Sequence, residues 1–126
     1  MKTVMSVGQC NPDHYALSGF LQKNFQCEVV RIDSTEEALE KLKTSKIDLV
    51  LVNRKLDIDY TDGLELIIKM KHDEKLSNIP IMLVSNYMEY QKEAIEHGAI
   101  MGIGKSEYGE LGVISRFHGI LDPQPS

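Results

Sequence analysis

Residues 47–52 (IDLVLV) are apolar at every position but one. A run that short and that uniform fits a strand buried on both faces, the situation of a central strand in a parallel sheet. Parallel neighbours cannot be joined by a tight hairpin and need crossover connections, usually helices. That one segment therefore commits the flanking chain to alternate strands with helices, and the periodicity on both sides agrees. Residues 3–7, 27–33, 79–84 and 100–103 read as further short strands. Helical spacing of Leu17, Phe20, Leu21 and Phe25 gives a helix over 12–25, opened by Asn11-Pro12. Ser34-Thr-Glu-Glu37 is a capping box for a helix to about Thr44, with Ala38, Leu39 and Leu42 inward. Asp62 and Glu65 offer another for a helix ending near Lys71 that carries Leu64, Ile67 and Ile68. A helix over 87–97 stops at Gly98, and a last one is expected over 107–121, weakened by Gly109, Gly112 and Gly119. Residues 122–126 (DPQPS) read as a disordered tail.

Five strands alternating with five helices demand an α/β doubly wound sheet with helices on both faces. With 126 residues the chain is one domain, 1–121, and needs no metal or disulfide staple to bury a core. Two cysteines, Cys10 and Cys27, make no disulfide framework and favour a reducing, cytoplasmic setting. A net charge of −5 argues against nucleic acid or an anionic membrane as partner, and the longest apolar stretch is far too short to span a bilayer. In doubly wound sheets, polar groups that bind or react gather outside the carboxyl ends of the strands. The stretches that matter are therefore 8–13, 53–62, 85–86 and 104–106.

At those positions the chain resembles the receiver domain of bacterial two-component response regulators. The resemblance rests on Asp48-Leu-Val-Leu-Val-Asn53, Asp62-Gly-Leu-Glu-Leu66, Ile79-Pro-Ile-Met-Leu-Val-Ser85 and Gly98-Ala99 through Lys105, in order and at family spacing. It implies a flavodoxin-like five-stranded parallel sheet of order 2-1-3-4-5. It also implies a site in which an aspartate ending the third strand takes a phosphoryl group. Acids after the first strand hold Mg²⁺ there, and a hydroxyl and a lysine contact the phosphoryl group. By position Ser85 matches the hydroxyl and Lys105 the lysine. The phosphoacceptor falls on Asn53, and the acidic pair on Gln9 and Cys10, or on Gly8 and Gln9 one place back. The aromatic switch position in the fifth strand falls on Gly102, and the 53–62 loop is about two residues long for the pattern.

An amide is not a carboxylate nucleophile, and Mg²⁺ normally takes at least one carboxylate. The expectation is thus a degenerate, stand-alone receiver that is no enzyme and holds no cofactor or metal. Lys105 would hydrogen-bond Asn53 Oδ1. Such a domain works by contact with a signalling protein such as a histidine kinase or an output protein, as a monomer or weak dimer. The expected interaction face lies over about 86–121, with Glu89, Lys92, Gly102 and Glu107. The principal alternative is an active Mg²⁺-dependent phosphoacceptor using Asp57 or Asp59. Two other motifs fall short. The stretch 98–106 would be a phosphate-binding loop through Gly104-Lys105-Ser106, but its required first glycine is Ala99. The stretch 57–63 approximates a calcium loop whose twelfth position is Ile68, and reads better as a solvated acidic loop. Cys10 reads as a small filler rather than a reactive thiol.

Overall fold

A computed structural model describes residues 1–110 and 112–125. Five strands, β1 (Lys2–Val7), β2 (Cys27–Ile32), β3 (Leu49–Asn53), β4 (Ile81–Val84) and β5 (Ile100–Ile103), form one parallel sheet of order β2-β1-β3-β4-β5. Four helices alternate with them: α1 (Asn11–Asn24), α2 (Thr35–Thr44), α3 (Leu64–Lys71) and α4 (Met88–Glu96). This is the flavodoxin-like order, and its chain reversal sets β1 beside β3, with Val7 opposite Val52.

Strand alternation sorts the core into two layers. Met5, Val7, Val50 and Val52 meet Ala38, Leu42, Leu66, Ile67, Met70 and Ala94 from α2, α3 and α4. Val4, Leu49, Leu51, Met82 and Val84 face the other way, onto Leu17, Phe20 and Leu21 of α1 and Phe117. The expected cap at Ser34 forms: its Oγ accepts from the Glu37 amide at 3.2 Å. On α3 the box at Asp62 and Glu65 is only half realised. Asp62 Oδ1 accepts from the Leu64 amide at 2.9 Å, and the buried stripe is Leu66, Ile67 and Met70.

Two expectations about the C-terminal quarter are corrected. There is no α-helix over 107–121 among the described residues; the segment runs through turns with one 3₁₀ turn, Ile114–Phe117. Gly112 and Gly119 both have positive φ, at 93° and 82°, which a helix does not allow. The segment is nonetheless docked, because Phe117 is fully buried against Phe20 and Phe25. The stretch expected to fray is tied down as well. The Gln26 amide donates to the Asp122 carbonyl at 2.8 Å and the Gln124 amide to the Asn24 carbonyl at 3.0 Å. Gln124 Nε2 donates to the carbonyls of Gln22 and Phe25. Ser126 lies outside the described residues.

Candidate functional site at the carboxyl ends of the strands

The sheet brings Asn53, Ser85 and Lys105 to one cavity of about 380 Å³, which Arg54, Tyr87 and Tyr90 also line. Asn53 is the last residue of β3, and its Nδ2 donates to the Lys55 carbonyl at 2.7 Å. Ser85 follows β4; its hydroxyl oxygen accepts from the Tyr87 amide at 3.2 Å and so opens α4. Lys105 does not reach for Asn53. Its Nζ lies 2.7 Å from Asp13 Oδ2, on the first turn of α1. The expected Lys105–Asn53 contact is thereby replaced.

Asp13 is the residue that sequence reasoning passed over. Its place in 8–13 was the only signal, since it lies beyond the positions that align with the acidic pair. Burial alone would raise its carboxyl. Hydrogen bonds from Lys105 and Cys10 and the charge of Lys105 together hold it below its ordinary value of 3.8. Its charge also adds to the burial that pushes the neighbouring Tyr108 hydroxyl up to about 12.

Gln9 and Cys10 part company. Cys10 is half-buried and precedes α1. Gln9 is only 2% exposed, with no hydrogen-bond partner for either end of its amide among the described residues. Neither lines the cavity. The reason lies in the 53–62 loop, whose acids Asp57 and Asp59 are exposed as expected but which turns Leu56 inward. Lys55 bridges Asp62, the Leu56 amide donates to the Thr61 carbonyl at 2.9 Å, and Leu56 is fully buried. Leu56 packs on Gly8, where a Cβ would overlap its side chain. A leucine thus roofs the end of β1, where the family resemblance places acids.

That donor set does not fit Mg²⁺. The end of β3 offers an amide, the end of β1 offers an amide and a thiol, and the adjacent carboxylate is paired with a lysine. Among the described residues no three His, Cys, Asp or Glu side chains converge. Asp57 and Asp59 do not line the cavity. Asp59 Oδ1 accepts from the Thr61 amide and hydroxyl, which holds its carboxyl below the usual value.

A second ion pair braces the far side. Glu107 takes both Arg116 guanidinium nitrogens at 3.0 Å and the Gly104 amide at 2.6 Å, and the Arg116 bonds lead in holding its carboxyl low. Glu107 is therefore a brace. Gly102 is buried. Of the four residues expected on an interaction face, Glu89 and Lys92 are exposed.

These shifts have a sign. A carboxyl held low when folded adds stability that is fully present above its ordinary value and is lost as the pH falls through its lowered one. Asp13 and Glu107 therefore stabilise the fold in full above about pH 4.5, and that contribution is lost as the pH falls through their lowered values. Urea midpoints should fall between pH 6 and pH 3, and fall less in an Asp13→Asn, Glu107→Gln double variant. An equal acid loss in that variant would contradict the assignment.

A family profile described as the response regulator receiver domain matches residues 13–111. The chain belongs to that family. It is a receiver domain of two-component signalling, and receiver domains generally serve as signalling rather than enzymatic units, working with kinases and output domains. Solved receivers superpose on it closely. A putative response regulator from Chloroflexus aurantiacus J-10-fl gives a TM-score of 0.79 at 20% identity, over 94% of this chain and 96% of that one. The receiver domain of the sensor histidine kinase PA1611 from Pseudomonas aeruginosa PAO1, with a magnesium ion in its active site cleft, gives 0.73 at 16% identity, over 91% and 95%. NtrX from Brucella abortus gives 0.71 at 22% identity over 84% of this chain, which spans 24% of that longer protein. At these identities the likeness is one of fold. No curated protein matches the chain. No helix among the described residues is long and apolar enough to cross a membrane.

Proposed function

We propose that this receiver domain signals through protein contact without taking up a phosphoryl group or binding Mg²⁺. The observation that carries the reading is the Lys105–Asp13 pair at 2.7 Å beside an amide, Asn53, at the end of β3. In a phosphorylating receiver, the equivalent lysine faces the acceptor carboxylate and the developing charge of the phosphoryl group. Here Lys105 has a standing counter-ion on α1, and the acceptor position has no nucleophilic oxygen. The PA1611 receiver is described with magnesium in its cleft; the three positions discussed above supply no comparable anionic oxygen.

Gly102 supports the same reading. The resemblance implies an aromatic ring there that moves between two positions on phosphorylation. The buried Gln91 amide instead accepts from the Gly102 amide at 3.0 Å and donates to the carbonyls of Leu83 and Ser85. These bonds join β5 to the end of β4 in one arrangement, and a switch needs two. The contact surface then includes the exposed side of α4, with Glu89 and Lys92, and its partner is a kinase or output protein of a two-component pathway.

Incubation with acetyl phosphate or phosphoramidate and Mg²⁺, followed by intact mass spectrometry, tests the proposal. The expected result is an unmodified mass. A stoichiometric phosphoryl adduct mapping to Asp57 or Asp59 would overturn it in favour of an active phosphoacceptor.

A further inference from the structure

The cavity between the 53–62 loop and the start of α4 has unpaired donors, open aromatic faces and a strained residue that packing does not explain. Among the described residues the Lys55 ammonium, the Asn86 carboxamide NH2 and the Ser85 hydroxyl hydrogen have no protein acceptor, although all three residues line the cavity. Its other charges are matched. Asp62 receives the Arg54 guanidinium in two parallel bonds of 2.9 and 3.1 Å, and Lys105 faces Asp13. Arg54 also reaches Glu93 Oε1 at 3.5 Å, so among the described residues Lys55 is the lining cation left without a carboxylate partner.

Tyr60 and Tyr87 stand on the rim, 74% and 62% exposed. Tyr90 has the Arg54 guanidinium over its ring at 4.2 Å and meets Tyr87 edge-on at 5.5 Å. Among the described residues Tyr60 is thus the lining ring with no aromatic or cationic partner, while Tyr87 stays largely exposed. Tyr60 also has a φ of 60°, the sole positive value at a non-glycine residue among those described. A bulky side chain costs about 1 kcal/mol or more in that region. With its ring in solvent, no burial offsets that cost, and glycine would fit better. Strain held without a packing reason points to a role for the ring itself.

We infer that this cavity binds a small, planar aromatic monocarboxylate, with its ring against Tyr60 and Tyr87 and its carboxylate on Lys55, Asn86 and Ser85. A volume of about 380 Å³ suits a molecule of one or two fused rings. One unmatched cation selects a monoanion over a phosphoryl dianion, and ring faces select a flat apolar body. The inference rests on the reading of the site as one that carries no phosphoryl group, since such a group would occupy the same donors.

Calorimetric titration of the full chain with 2-naphthoate, naphthalen-2-ylmethanol and inorganic phosphate decides it. The naphthoate should bind saturably at submillimolar concentration, the neutral alcohol at least tenfold more weakly, and phosphate without saturation. Lys55→Ala should weaken naphthoate binding at least tenfold with an unchanged melting temperature, because Lys55 is exposed. Tyr60→Gly should weaken it similarly while raising the melting temperature, a pairing that a purely structural tyrosine would not give. Absence of saturation at 5 mM naphthoate, equal binding of the alcohol, or wild-type affinity in both variants would overturn the proposal. A phosphoryl adduct in the mass experiment would count against the earlier reading alone, and the titration would still decide this one.

Discussion

Gly102→Tyr will destabilise the protein by about 3 kcal/mol instead of installing a movable ring. The strain is steric, because Gly102 has an ordinary negative φ. A Cβ at this position would overlap the Leu83 carbonyl oxygen and crowd Gln91 Oε1. The close approach follows from an irregularity in pairing: Met82 lies opposite Ile100 but Val84 opposite Ile103, so β5 holds one residue more than β4 across that step. Making room for a side chain separates the strands and breaks the bonds of a glutamine amide that is 3% exposed. Each buried polar group left unpaired costs about 1–3 kcal/mol. Urea unfolding of the variant measures the loss. Wild-type stability would mean that the junction can open, and would reinstate a two-position switch.

Phe117→Ala is expected to cost about 3–5 kcal/mol, a large share of the stability of a domain this size. Phe117 is completely buried, with ring centroids 5.9 Å from Phe20 and 5.3 Å from Phe25. Among the described residues its segment has a single 3₁₀ turn. Local helical hydrogen bonding therefore contributes little, and docking of this ring carries the segment. Ile114→Ala in the same turn, at a position 40% exposed, should change stability by no more than about 0.5 kcal/mol. Equal effects at the two positions, read from denaturant midpoints, would show that the segment is held by something other than the aromatic cluster.

The sheet was legible because residues 47–52 admit little else, and the flanking strands follow from the crossovers that a parallel strand requires. Asn53, Ser85 and Lys105 were legible for the same reason, since each ends or follows a strand. Three features were not. Asp13 lies on a helix turn, and its pairing depends on where α1 sets down beside the 104–106 loop, which no local spacing encodes. Leu56 stands among Asp57, Asp59 and Asp62, so its surroundings argued for solvent, and only the chain reversal of 55–62 folds it inward. The 107–121 segment carries helix-compatible apolar spacing, but Gly112 and Gly119 adopt positive φ and Phe117 docks into the aromatic cluster instead of continuing a helix. Glu107 was read only as a charged side chain after β5, and its bonds to Arg116 and Gly104, like the pairing of Asp13, are not encoded in local spacing.

The tie between the C-terminal residues and β2 has a bearing on how copies of this molecule can meet. In an open sheet both outer strands are templates that a foreign strand can extend. Beside the start of β2, Pro123 bridges Phe25, and Gln26 and Gln124 use their amides to hold the strap in place. At the opposite edge, β5 is four residues long and irregularly paired. Both main-chain groups of Gly102 are taken by side chains, its amide by Gln91 and its carbonyl by Arg116 at 2.9 Å. A foreign strand is therefore obstructed just before β2, at Phe25 and Gln26, and in the middle of β5, at Gly102, so that the two edges of the sheet are not equivalent templates along their length.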